Sequence, residues 1–194
     1  MSKEDHYRSL LLRTPSKVTD DEACTFTRLL PMLPDPTPLC DVLSELRANL
    51  IRFPNAMVGE VGLDRVFRIP FDYFAEDREL TTFTIPLDHQ VAILKAQFEL
   101  AIELKRNISI HSVKAQQATL DLLRELQQKH GESWYKISID MHSCGFSPET
   151  WRQTEVRLNC LFRTCFTHAR RRTRNCFPTF LSHSPPSSTT SIRI

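Results

Sequence analysis

An alternation of helical and strand patterns between residues 41 and 153 constrains this chain more than any other feature. Apolar residues recur at helical spacing in 41–53, 87–105 and 114–131, and a last helix begins at 147. Short apolar runs that predict buried strands occupy 56–64, 107–113 and 135–145. Such alternation favours a parallel sheet with crossover helices, and therefore an α/β fold with part of a TIM-type (β/α) barrel.

Three regions depart from this pattern. Residues 1–40 are poorly periodic and end in four crowded prolines, which predicts an irregular N-terminal segment that runs into an extended linker. Residues 65–86 are rich in aromatic side chains and bounded by prolines, as expected of a long functional loop. Residues 154–194 predict a disordered, basic, Ser/Pro-rich tail. The predicted organisation is therefore 1–40, a partial barrel over 41–153, and the tail.

The formal net charge of +2 conceals a break between two parts of the chain. Residues 1–151 carry a net charge of −5, whereas residues 152–194 carry +7, all of it from arginine. A break of this kind suggests two regions of different origin or role. The arginines at 170–174 are also a candidate for salt-sensitive, non-specific binding of nucleic acid.

Composition argues against several classes of protein. No apolar stretch approaches the length of a transmembrane helix, and no secretory signal follows Met1, so no membrane partner is expected. The six cysteines show no CxxC pair and no regular spacing, which disfavours a zinc knuckle or a disulfide scaffold. Reduced thiols indicate an intracellular protein, in the cytoplasm, the nucleus or both.

Three residues follow the predicted strands in equivalent places and form the candidate site. Glu60, His111 and His142 come at the ends of the first, second and third strands, 51 and 31 positions apart. Because the carboxyl ends of parallel strands in a barrel converge on one face, these side chains are expected to lie together. A carboxylate and two imidazoles are suitable ligands for Zn²⁺ or a similar divalent ion.

Simpler explanations remain open for the histidines and for the other polar residues near the predicted strand ends. A single histidine at the end of a strand is more often a hydrogen-bonding residue than a metal ligand. Asp64 and Asp140 are equally compatible with capping or turn formation, and a turn is expected at Asp64 in any case. Cys144 is a candidate reactive thiol, although only His142 is near it in sequence as a base.

Several motifs agree in order with one known family. The segment VGEVGLD at 58–64 resembles the signature of the TatD family of metal-dependent DNases. A glutamine-bearing helix with Gln90 and Gln97 follows, then a strand with His111, then IDMHSCG with His142. The sequences GEVGLDRVFRIP and MHSCGFSPETW look most similar to the fungal branch of that family.

The resemblance implies a TIM barrel and a metal-assisted phosphodiesterase, or deoxyribonuclease, that acts on DNA. It makes Glu60 a catalytic metal ligand that bridges two metals, and His111 and His142 ligands of the second metal. The ion would be zinc, magnesium or manganese. As an alternative function, the fungal branch implies a non-catalytic binding partner of a TPR subunit of the anaphase-promoting complex, a cell-cycle assembly.

The chain also departs from the family pattern. It contains no His-x-His pair, no aspartate after residue 154, and valine at 113 where the family often has arginine. The ligand set is therefore incomplete, and we expect weak metal occupancy and little or no activity. The pattern predicts a chain truncated at both ends: Met1 falls after the first barrel strands, and the tail after about residue 155 derives from a wrong frame or a retained intron.

Overall fold

The computed structural model describes residues 1–14, 17–142 and 144–158. Its helices are α1 Lys3–Leu11, α2 Asp20–Leu29, α3 Leu39–Arg52, α4 Leu87–Glu103, α5 Gln116–His130 and α6 Pro148–Leu158, with 3₁₀ turns at Leu30–Met32 and Gly131–Lys136. Its strands are β1 Val58–Asp64, β2 Arg68–Pro70, β3 Leu80–Thr84, β4 Ile108–Val113 and β5 Ile139–His142.

The main sheet is parallel and has the order β1-β4-β5. Each of its strands is separated from the next by helical segments, so the prediction of βα units is confirmed. One face of the sheet packs against the helices, where Leu63, Ile110 and Ile139 are fully buried. The ring of Phe98 on α4 stacks on Trp134, with 6.2 Å between the ring centroids.

The other face of this sheet, which we call the open face, is polar and partly exposed. Burial alternates along β4, where Ile110 is buried and the neighbouring His111 is half-buried. In β1, Glu60 is exposed between buried residues, and in β5 Asp140 is half-buried. Because side chains alternate across a strand, these polar residues lie opposite the hydrophobic core.

At Gly62, β1 lies very close to β4. The register of the two strands shifts between Val58 and Val61, and Gly62 then pairs with His111. A Cβ atom at Gly62 would lie 1.9 Å from the carbonyl oxygen of His111. Since that oxygen belongs to the backbone of a central strand, no side chain can move aside to make room. Glycine at 62 is therefore a requirement of the packing.

A second, smaller core lies at the N-terminal part of the chain. Phe26 and Leu29 of α2 are buried there against Ile69 of β2 and Phe83 of β3, which form an antiparallel pair. The rings of Phe26 and Phe83 meet edge to face, 6.4 Å apart. The predictions that 1–40 and 65–86 are irregular are therefore wrong for α1, α2 and the two strands.

Capping boxes explain why helices form in the first 40 residues. Ser2 and Asp5 exchange hydrogen bonds with each other's backbone N–H groups at the start of α1. Thr19 and Glu22 do the same for α2. Each pair satisfies two backbone donors that would otherwise lack partners. The extended stretch that follows Met32 agrees with the predicted proline-rich linker.

Two ion pairs tie the N-terminal helices to the rest of the chain. Arg13 donates to both carboxylate oxygens of Asp88 at 2.8 and 2.7 Å, and this hydrogen bonding lowers the pKa of Asp88. Arg28 donates to Glu79, and its guanidinium lies 3.9 Å from the ring centroid of Phe71. Both pairs are exposed, so their main effect is to fix orientation.

Other boundaries differ from prediction by a few residues. Strand β5 is shorter than the predicted 135–145, because a 3₁₀ turn extends to Lys136. Ser147 caps α6 as expected, since its hydroxyl accepts the N–H of Thr150 at 3.2 Å. Helix α6 continues to Leu158, past the predicted start of the tail, and the Leu158 carbonyl accepts a hydrogen bond from Trp134. The remainder of the predicted tail, 159–194, lies outside the described residues.

We predict that Gly62→Ala destabilises the protein strongly, by about 3 kcal/mol or more, because the added methyl group collides with the backbone of β4. Gly59→Ala in the same strand is the matched control. There the nearest atom, Cβ of Ser109, would be 2.9 Å from the added methyl group, so the overlap is much smaller than at Gly62. Urea unfolding of both variants measures the difference, and equal stabilities would contradict the proposed close approach.

Candidate functional site

The two candidate histidines lie in one row across the main sheet. His111 pairs with Gly62 of β1 on one side and with His142 of β5 on the other. Neighbouring strands are separated by about 4.8 Å, so the backbones of His111 and His142 are one strand spacing apart. The two backbone positions are therefore adjacent, and the side chain of His142 lies outside the described residues.

Glu60 lies on the same open face, at the irregularity of β1. It is exposed and precedes Gly62 by two residues, whereas Val61 packs in the core. The prediction that Glu60 and His111 end their strands needs correction, because β1 continues to Asp64 and β4 to Val113. His142 is the last residue of β5, as predicted. Beyond His111, Ser112 and Val113 continue the pairing of β4 with Leu63 and Asp64 of β1.

Asp140 is an additional carboxylate on this face, and it neither caps a helix nor forms a turn. Its Oδ2 accepts a hydrogen bond from the Ser109 hydroxyl at 2.8 Å, which links β5 to β4. Its Oδ1 is buried and has no hydrogen-bond partner among the described residues. A buried carboxylate oxygen in that state is a suitable acceptor for a ligand. The sequence alone gave no sign of this contact, which joins residues 31 positions apart.

Asp64 and Gln90 fix the loop that leaves β1. Oδ1 of Asp64 accepts the N–H groups of Val66 and Phe67, so the prediction that Asp64 forms a turn is confirmed. Gln90 of α4 accepts the backbone N–H of Asp64 and donates to the carbonyl oxygens of Asp64 and Ile85. One amide therefore connects the end of β1, the end of the loop and helix α4.

Cys144 is buried and packs in the main core. Burial is the largest cause that raises the pKa of its thiol to about 12, and the charge of Asp140 contributes in the same direction. A thiolate is the nucleophilic form, so this environment disfavours the interpretation of Cys144 as a reactive thiol. The residue is better understood as a small apolar side chain under the site.

The donors on the open face fit a divalent metal ion chemically. Glu60 and Asp140 contribute carboxylate oxygens, His111 contributes an imidazole, and one carboxylate oxygen is buried without a partner among the described residues. Carboxylate and imidazole ligands suit zinc and manganese. Among the side chains that the structure describes, no group of three such residues is already close enough to hold an ion.

Comparison with known proteins identifies the family. The model of the TatD related DNase family matches residues 39–174, which is more than half of the chain. This chain belongs to the TatD family. Its matched region begins at the first residue of α3 and includes all three strands of the main sheet.

Two fungal relatives support the assignment. The Cut9-interacting protein scn1 of Schizosaccharomyces pombe is 33% identical over 117 residues, which cover 58% of this chain and 32% of the relative. A protein named an uncharacterized deoxyribonuclease in Saccharomyces cerevisiae is 30% identical over 152 residues, covering 76% of this chain and 44% of the relative. The chain thus spans less than half the length of these relatives.

Family membership settles the fold class and indicates the general class of protein. The parallel sheet with its crossover helices is a partial TIM-type α/β fold, as predicted. TatD proteins are hydrolases of the deoxyribonuclease type and generally depend on divalent metals. Within the described part of the chain, no helix is long and apolar enough to cross a lipid bilayer.

We predict that Gln90→Leu loosens the loop after β1, because it removes three hydrogen bonds at once. The expected loss of stability is about 1–3 kcal/mol, the usual range for leaving partly buried backbone groups unpaired. Amide hydrogen exchange at Asp64, Val66 and Phe67 should accelerate. Gln117→Leu, on the exposed side of α5, is the control and should change neither quantity; equal effects of both substitutions would contradict this role of Gln90.

Proposed function

We propose that this chain carries part of the active site of a divalent-metal-dependent phosphodiesterase that cleaves DNA, with Glu60, His111 and His142 as metal ligands and Glu60 as the catalytic carboxylate. The observation that supports it best is the row formed by His111 and His142 on adjacent parallel strands. Glu60 lies on the same open face of the neighbouring strand, within a family of metal-dependent DNases.

In such a site, a bound divalent ion lowers the pKa of a coordinated water to about 7 and neutralises charge on a phosphoryl oxygen. Neighbouring residues hold the three proposed metal ligands in position. The close pairing of Gly62 with His111 fixes the distance between β1 and β4. Glu60 and His111 therefore keep a fixed position relative to each other. The hydrogen bond from Ser109 to Asp140 fixes β5 against β4 in the same way.

Three ligand positions make an incomplete set for a two-metal site. The sequence has no His-x-His pair, and the chain aligns with less than half of its relatives. A site for two metal ions would need more protein ligands than these three. We therefore propose that this chain alone binds metal weakly and has low or no nuclease activity.

Glu60→Gln tests the proposed ligand set. The substitution keeps the shape of the side chain and removes its charge, so affinity for Mn²⁺ or Zn²⁺ should fall at least about tenfold. Competition with a chromophoric chelator measures that affinity, and cleavage of a labelled oligonucleotide measures residual activity. Glu76→Gln, an exposed carboxylate outside the main sheet, is the control and should behave like the unmodified chain. Metal-dependent cleavage that survives Glu60→Gln would refute the proposal.

A specific feature also favours a second function, binding of a protein partner. The segment between β1 and β3 exposes Phe74, Tyr73 and Phe67, with 93%, 56% and 42% of their surfaces accessible. Exposed aromatic side chains on one segment are typical of interaction sites. The name of scn1 describes it as a protein that interacts with Cut9. By analogy, we propose a TPR subunit of a cell-cycle complex as the partner.

Substitutions in two places distinguish the two functions: one in the segment between β1 and β3, the other on the open face of the main sheet. Phe74→Ala should weaken binding to the cognate TPR subunit by about tenfold or more, as expected for loss of a large aromatic anchor. The double substitution His111→Ala and His142→Ala should leave that binding unchanged. Calorimetric titration of the purified partner measures both. Loss of binding only in the histidine variant would count against a separate interaction surface.

A further inference from the structure

Two cationic residues lie side by side at the carboxyl edge of the main sheet. Arg65 directly follows β1, and Lys114 directly follows β4. The backbone N–H of Arg65 donates to the carbonyl oxygen of Val113, the residue before Lys114, at 3.1 Å. Because neighbouring strands are about 4.8 Å apart, the backbones of Arg65 and Lys114 are separated by roughly one strand spacing.

Neither charge is held in an ion pair with a described residue. Both residues are exposed. The nearest carboxylate in sequence, that of Asp64, accepts the N–H groups of Val66 and Phe67 instead. The first turn of α5, which begins two residues after Lys114, contains no acidic residue.

Two adjacent like charges repel each other, so an arrangement of this kind is stabilised when an anion binds between them. The position also matters: Val113 is two residues beyond His111, so the pair flanks the open face at the edge where active sites of (β/α) folds are built. An anion held there lies next to the proposed metal ligands. A phosphate in a nucleic-acid backbone has the required charge and reach.

We propose that Arg65 and Lys114 form a phosphate clamp that holds the phosphodiester backbone of DNA against the open face. This inference rests on the proposed nuclease function and adds the residues that position the substrate. The clamp acts through charge alone, so it binds without sequence preference and without a metal ion.

The chain offers a matched control for Lys114. Lys105 is also an exposed lysine with a left-handed backbone, φ 51° against 52° for Lys114. Lys105 precedes β4, whereas Lys114 follows it, so the two residues lie at opposite ends of one strand. Substitution at either position removes the same charge with the same backbone strain. The two positions differ in their distance from the proposed site.

The experiment measures binding of a fluorescein-labelled single-stranded 12-nucleotide DNA by fluorescence anisotropy, in a chelator and over a series of salt concentrations. The full chain is used, so that the arginines of 170–174 contribute equally to every variant. Arg65→Gln and Lys114→Gln should each weaken binding by about three- to tenfold at low salt. Each should reduce the slope of log K against log salt by about 0.7, the value for one contact with single-stranded DNA.

Lys105→Gln should change neither the affinity for DNA nor the salt slope. Lys114→Arg should retain both values of the unmodified chain, because it keeps the charge. If Lys105→Gln and Lys114→Gln have the same effect, or if neither slope changes, the clamp is refuted. Circular dichroism of each variant confirms that the fold is retained. Because the chelator removes any metal, a lack of nuclease activity does not affect this result. If Arg65→Gln and Lys114→Gln leave the salt slope of DNA binding unchanged while the chain cleaves DNA, the clamp is refuted and the proposed nuclease function is not.

Discussion

The contact between β1 and β4 at Gly62 is the constraint on which the rest of the site depends. No Cβ fits there, since the carbonyl oxygen of His111 would be 1.9 Å away. This contact sets the register that places Gly62, His111 and His142 in one row. A glycine in the middle of the signature VGEVGLD thus has a mechanical role, and the polar residues around it depend on that role for their relative positions.

A second level of organisation lies around that contact. Gln90 anchors the end of β1 to α4, and the hydrogen bond from Ser109 to Asp140 links the other two strands. These bonds join elements that are 26 and 31 residues apart in sequence. They hold the polar face in position while the apolar residues on the opposite face supply most of the stability.

The parts that the sequence predicted are those with a strong local period. Helices α3, α4 and α5 and strands β1 and β4 appear close to their predicted bounds, because apolar spacing of 3.6 or 2 residues is visible in one chain. Parallel pairing then follows from the crossover helices, and the row of His111 and His142 follows from the pairing. The same reasoning placed Asp64 in a turn, which its bonds to Val66 and Phe67 confirm.

The parts that were missed have short or non-local signals. Helices α1 and α2 depend on capping boxes, and a four-residue pattern of this kind is a weak signal in a segment without clear apolar period. Strand β2 has three residues, too few for alternation to be recognised, and its partner β3 pairs across a nine-residue connection, 71–79. The contact between Ser109 and Asp140 is set by the register of two strands, which the sequence does not encode locally.

The division into two cores has a dynamic consequence. The small core of Phe26, Leu29, Ile69 and Phe83 shares no buried residue with the large one. Exposed ion pairs such as that of Arg13 with Asp88 contribute little to the free energy that holds the two cores together. The small core can therefore act as its own cooperative unit, which opens transiently while the parallel sheet stays intact. Since this unit carries the segment that leaves β1, its opening would release that segment without breaking the pairing of β1 with β4.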